Sequence, residues 1–352
     1  MRLLDWDRTQ AYAVVGAMHR VACNGGDHSL ENIDRELLSC TLAHVFGLEH
    51  GIDVSGLVAT KPDELASHLP DAEQRKQAFH MVSYMPFLVP GDLDDFSDLV
   101  SRRADLVLQY ADALQVEGHE VKYTQKLRDK KIRLLRLDFA RWILNDLVPG
   151  KGVRGKVKGL IKAMKETRGN PKVAAPYQKL GLLPEGTLGR SIWEFYRRRE
   201  FPFPGEPGCL PEDLVMVHDL SHVLSDNNTD PRGEVAAVAF QAGYMRRHSY
   251  EMMMDVFFAF QFNFILEYGA PQMLATYNQI DPHLAMESLR LGMECNFDFM
   301  DGWNYWEDME QTVESLRDRY NIQTTSNDNL MPPEHLRGTD TPHRETCPPI
   351  VG

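Results

Sequence analysis

In VHDLSHVLSDNNTDPRGEVAAVAF (217–240) two helices and the break between them are written out in residue types. His218 and His222 are four apart, so a helix places both imidazoles on one face, where they can reach one metal ion. Asp219 adds a carboxylate beside them. The run SDNNTDPRG (225–233) ends that helix. Pro231 suits the first turn of a new one, with Asp230 as its cap. Glu234 then falls in the first turn of the returning helix, one position later than a capping box requires. The expectation is that the return brings Glu234 towards His218 and His222. The spacing alone also admits buried, hydrogen-bonded histidines and a glutamate that serves the helix start.

Outward from this motif, apolar residues recur three and four apart through most of the 352 residues, and no alternating β-branched run is long enough for a strand. The expected fold class is all-α. Hydrophobic residues make up 43% and charged residues 25%, which excludes wholesale disorder. No apolar run reaches 18 residues, so no membrane-spanning helix is expected. MRLLDWDRTQ (1–10) carries no apolar signal core. The five cysteines, Cys23, Cys40, Cys209, Cys295 and Cys347, are scattered and form no CxxC, which fits a reducing compartment. The expected location is cytoplasmic, with peripheral attachment to the inner face of the membrane.

The first third reads as a duplication. An apolar helix (11–23), the turn NGGDHSLENID (24–34) and a helix (35–45) ending in FGLE are matched by a helix (77–89), the turn PGDLDDFSD (90–98) and a helix (99–114) ending in LQVE. Gly26-Asp27 corresponds to Gly91-Asp92. Asp27, Asp92, Asp94 and Asp95 invite a metal reading, but helix capping explains acids there more simply. The ligand pattern of an EF-hand is missing. Residues 10–117 resemble the TerB-like helical domain of tellurite-resistance systems, whose halves carry comparable acidic turns.

Net charge is −13, but it is uneven: −10 over residues 1–117, +10 over 118–168 and −13 over 169–352. This balance makes nucleic acid an unexpected partner. Over residues 151–165, Lys151, Arg154, Lys156, Lys158, Lys162 and Lys165 supply positive charge around an apolar stripe of Val153, Val157, Leu160, Ile161 and Met164. Such a helix packs on its own domain or lies on an anionic membrane. The stretch VFFAFQFNFIL (256–266) brings Phe257, Phe258, Phe260, Phe262 and Phe264, most simply as core. Trp303 and Trp306 are read likewise as core or interface residues. The last residues, through MPPEHLRGTDTPHRETCPPIVG (331–352), are polar and proline-rich, and disorder is expected there.

His218-Asp219-x-x-His222 with eleven residues before Glu234 resembles the signature of the ubiquinone-biosynthesis family known as coenzyme Q biosynthesis protein four. LPEGTLGRSIWEFY (183–196), GEVAAVAF (233–240) and SLRDRYNI (315–322) are similar to further segments of that family, so the likeness spans about residues 135–322. DLVMV (213–217) and the run 244–254 depart from its pattern. The resemblance implies that His218, Asp219, His222 and Glu234 hold one divalent ion, zinc, iron, manganese or cobalt, and are required for catalysis. It implies a prenylated 4-hydroxybenzoate-type substrate whose C1 carboxyl is replaced by hydroxyl, and a greasy path for its tail through the phenylalanine-rich helix. The implied partners are this lipid, the membrane surface, other quinone-biosynthesis proteins and a second copy of the chain. Two other readings stand beside it. One is a non-catalytic prenyl-lipid organiser of a biosynthetic complex. The other is a zincin-like hydrolase with Asp219 in place of the general-base glutamate. The expected domains are 1–117 (TerB-like), 118–134 (basic connector), 135–323 (metal-binding) and 324–352 (tail).

Overall fold

The computed structural model describes residues 4–88, 98–142, 168–262 and 280–325. The basic amphipathic segment 151–165, Gly91 to Asp95, Phe264 and the tail from residue 326 lie outside the described residues. Every described element is helical; the nearest approach to a strand is an isolated bridge between Thr187 and Thr312. The all-α expectation therefore holds. No described helix is long and apolar enough to cross a membrane. Cys23, Cys40, Cys209 and Cys295 are free and buried.

The N-terminal helices are α1 (Arg8–Ala22), α2 (Asn32–Cys40), α3 (Pro62–His68), α4 (Ala72–Tyr84) and α5 (Asp98–Leu114). Asp7 and Gln10 cap α1 reciprocally, at 2.8 and 3.1 Å. The helix expected over residues 35–45 is shorter: α2 ends at Cys40 and continues as a wider π turn, Thr41–Val45. Asp27 is exposed and lies before the cap of α2, where Asp34 Oδ2 accepts from Glu31 N at 3.2 Å. The capping role expected of Asp27 therefore falls to other residues.

Arg103, on α5, is the polar centre of this half. Its guanidinium donates to both Asp34 oxygens (3.2 and 3.1 Å), to Met85 O at 3.1 Å and to Ala22 O at 2.6 Å. It thereby ties α5 to α1, α2 and the 3-10 turn Met85–Leu88.

Residues 118–134 do not form a free connector. They fold as α6 (His119–Arg128), which packs on α5 and buries Glu120, Tyr123, Thr124 and Leu127, followed by the start of α7 (Ile132–Trp142). Lys130, at φ 55°, breaks the chain between the two helices.

The C-terminal half comprises α8 (Pro171–Lys179), α9 (Leu188–Arg198), α10 (Glu212–Ser225), α11 (Pro231–Tyr244), α12 (Ser249–Phe262), α13 (Pro282–Glu294) and α14 (Val313–Tyr320). Helix α11 is its axis. Every residue from Val235 to Tyr244 is buried, as expected of a helix without a polar face. Helices α10, α12 and α13 surround it. Its approach to α13 is closest at two glycines: a Cβ on Gly292 would stand 2.1 Å from Phe240 O, and one on Gly243 2.3 Å from Leu289 O. Only glycine at both positions lets the two backbones meet. Helix α13 also packs on α2 and the π turn, joining the two halves. Phe257 is fully buried against Tyr84 and Phe87, with centroids 5.1 and 5.9 Å apart, so this member of the aromatic helix fills the core between the halves.

Candidate metal centre

Helix α10 delivers the histidines and α11 the glutamate. The chain leaves α10 through Asp226, a left-handed residue at φ 59°, and Asn227 N bonds back to His222 O at 3.0 Å. Asp230 then accepts from Gly233 N at 2.8 Å and Pro231 opens α11. Gly233 permits the turn to close, because a Cβ there would lie 2.1 Å from Asn228 O. The closing helix α14 adds a clamp: Arg317 donates to Leu224 O (2.8 Å) and Val223 O (3.2 Å), carbonyls left free at the end of α10.

This turn brings three of the expected ligands together. His218 Nε2 stands 3.2 Å from His222 Nε2 and 3.1 Å from Glu234 Oε2, and His222 Nε2 stands 3.4 Å from the same oxygen. Two donors bound to one tetrahedral zinc at about 2.0–2.1 Å stand about 3.3 Å apart. The three edges of the triangle match that separation. His222 is buried, whereas His218 and Glu234 are partly open to solvent.

The far nitrogens are held as well. His218 Nδ1 lies 3.0 Å from Gln241 Oε1, and His222 Nδ1 lies 3.2 Å from Asn227 O. Both partners are acceptors, so each ring carries its proton on Nδ1 and presents Nε2 to the centre of the triangle. Burial opposes charge on both His218 and Glu234, but their mutual hydrogen bond outweighs it. That bond holds His218 above the usual imidazole range and Glu234 below the usual carboxylate range. A cation entering the site replaces the proton that now bridges them.

Asp219 departs from the expected ligand set. It does not belong to the group whose ligand atoms all lie within 4.8 Å of one another. Its carboxylate accepts a hydrogen bond from the Tyr196 hydroxyl, and burial raises its pKa despite the neighbouring His218. Being next in sequence to His218 points Asp219 to a different side of α10.

Four residues near the centre were not singled out by the motif. Gln241 follows Glu234 by two helical turns, and a glutamine in the apolar run VAAVAFQAGY is itself a signal. Asp255 stands in MMMDVFF, and its α12 position exposes it to the charges of His218 and Glu234; burial pushes its carboxyl up to about 6. Phe195 packs against His222 at 5.6 Å. Arg199 lies over Phe195 at 4.1 Å, bonds to Thr229 and Asn228 in the turn, and feels the charges of Glu234 and Asp219.

No protein-family model matches the chain, and a search of curated proteins finds no match.

Proposed function

We propose that the chain is a metal-dependent decarboxylase of a prenylated 4-hydroxybenzoate-type acid, with one divalent ion held by His218, His222 and Glu234. The observation that carries the metal is the triangle of donors at 3.1–3.4 Å, with both imidazoles oriented from behind. The substrate class rests on the likeness of residues 135–322 to the ubiquinone-biosynthesis family. Two imidazoles and a carboxylate suit zinc, iron, manganese or cobalt.

A bound ion would supply positive charge for the substrate's carboxylate and, if redox-active, a route for electrons to dioxygen. The surrounding residues do the rest. Gln241 and Asn227 fix the ring orientations. Arg199 brings a further positive charge to the rim, suited to an anionic ring substituent. Phe195 and the buried side of His222 exclude water from the back of the site.

In the overall reaction the carboxyl group leaves as carbon dioxide and water supplies the entering hydroxyl. Dioxygen takes up two electrons and two protons as hydrogen peroxide. The basic segment 151–165 is proposed as the contact with an anionic bilayer, from which a prenyl lipid would be drawn.

The test follows carboxyl-labelled carbon dioxide, peroxide and product oxygen with a short-chain prenylated hydroxybenzoate under air. Wild type loaded with iron, manganese or cobalt is expected to release carbon dioxide and form the C1-hydroxylated product, and Glu234→Ala to do neither while remaining helical. Release without oxygen insertion would reduce the reaction to plain decarboxylation. No release across a series of tail lengths would leave the lipid-organiser reading in its place.

A further inference from the structure

A second group of imidazoles lies away from α10. His44 comes from the π turn after α2, His50 from the loop that follows, and His283 from the first turn of α13. A ring nitrogen of each lies within 4.8 Å of one on both others. The rings of His44 and His283 meet edge to face with centroids 4.7 Å apart, and those of His44 and His50 at 5.1 Å. His44 Nε2 and His283 Nδ1 are buried and have no hydrogen-bond partner among the described residues. Buried polar nitrogens without partners are costly, and two on adjoining rings of one cluster call for a shared ligand.

We propose that His44, His50 and His283 form a second metal site, which takes a zinc-class divalent cation and fastens the N-terminal helices to α13.

Two properties of the place support this. Its donors are all imidazole nitrogens, the set favoured by zinc, nickel and cobalt over magnesium or calcium. The backbone on both sides is anchored. Arg290 Nη1 donates to His44 O at 3.3 Å, and Asp281 caps α13 through Leu284 N (3.0 Å) while accepting from Arg232 at 2.7 Å. Rigid placement of two donors leaves the exposed His50 to close on the ion from solvent. π turns within helices recur at functional sites, and here the wider turn carries His44 at the contact with α13.

Three protein ligands leave at least one coordination position, on the His50 side, open to water. The role that follows directly is structural. The ion would link residues 44 and 50 to residue 283 across the contact between α2, the π turn and α13. The site does not depend on the reading of His218, His222 and Glu234, and substitution separates the two.

The experiment measures zinc per chain and zinc affinity by chelator competition, using the full chain free of added histidines. In a His222→Ala/Glu234→Ala background the first centre is disabled. That protein is expected to retain one zinc ion per chain and to lose it when His50→Gln and His283→Gln are added. Its thermal midpoint is expected to rise with zinc only while His50 and His283 are present. Equal zinc content and equal affinity with and without these two histidines would overturn the proposal. Should the combined variant fail to fold, His50→Gln alone decides, because that side chain is exposed. Losing a direct ligand costs at least the roughly tenfold in affinity that losing an outer hydrogen-bond partner costs. Unchanged affinity in His50→Gln would overturn the proposal equally.

Discussion

At the scale of single residues, the centre on α10 divides into what spacing can reveal and what it cannot. His218 and His222 were legible because four residues make one helical turn, and Glu234 because Asp230-Pro231 marks where the returning helix begins. The orientation of each ring was not. It depends on Gln241, a whole helix away from the histidines, and on the carbonyl of Asn227, which any residue type would supply. Asp219 is the opposite case: adjacency in sequence suggested a ligand, and the 100° step along a helix directs its carboxylate to the Tyr196 hydroxyl. Two substitutions separate these roles. Gln241→Leu keeps the volume but removes the acceptor of His218 Nδ1–H. Zinc affinity is expected to fall about 10–100-fold with helicity retained, the usual effect of losing an outer partner. Asp219→Asn is expected to leave zinc stoichiometry unchanged. Titration against a chromophoric chelator reads both, and loss of the ion from Asp219→Asn would make that residue a ligand.

At the scale of elements, apolar periodicity placed the long helices well and their ends less well. Leu37, Leu38, Leu42 and Val45 face inward both in a continuous helix and in the observed α2 plus π turn, so the pattern cannot register the extra residue in the turn. Arg103 was hidden for a similar reason. It follows an exposed arginine, and only its place on the stripe of Val100, Val107, Tyr110 and Leu114 separates the two. Burying it is tolerable because all its contacts are charged or carbonyl acceptors supplied by three other elements. Arg103→Met leaves Asp34 buried and uncompensated. The expected loss is about 3–5 kcal/mol in urea unfolding. Adding Asp34→Leu is expected to recover part of it, because the stranded carboxylate then disappears. A double variant no more stable than the single one would show that the carbonyl contacts at Ala22 and Met85 dominate.

At the scale of the whole molecule, the question is what holds the N-terminal helices to the C-terminal ones. Composition predicted a basic connector at residues 118–134, because clustered charge normally means solvent. The structure keeps Lys122, Lys130, Lys131 and Arg133 exposed, yet α6 packs on α5 and turns Glu120, Tyr123, Thr124 and Leu127 inward. Its Glu120, buried at the junction, pairs with Lys76 of α4 at 3.1 Å. His119 hydrogen-bonds to Glu251 of α12, and His248 lies 3.7 Å from the same carboxylate. Tyr250 stacks beside Tyr84 and Tyr123, with centroids 6.1 and 6.5 Å apart. The acid–base pair gives this junction a pH signature. Burial pulls Glu251 upward, but the hydrogen bond from His119 and the nearby His248 outweigh it and bring its pKa down to about 2 from an ordinary 4.5. Its contribution is complete above pH 4.5 and is lost as pH falls through about 2. The bond to Glu251 in turn raises His119 above its ordinary 6.5. That contribution is complete below pH 6.5 and is lost as pH rises through the raised value. Both are therefore in place together between pH 4.5 and 6.5. Glu251→Gln is expected to cost about 1–2 kcal/mol in that window, below the usual worth of a charged hydrogen bond because His119 is half exposed. It should also flatten the dependence of the urea midpoint on pH on both sides of the window. A midpoint that falls by the same amount at pH 5.5 and pH 9 would mean that Glu251 acts through packing alone and that the charge on His119 does not hold the junction.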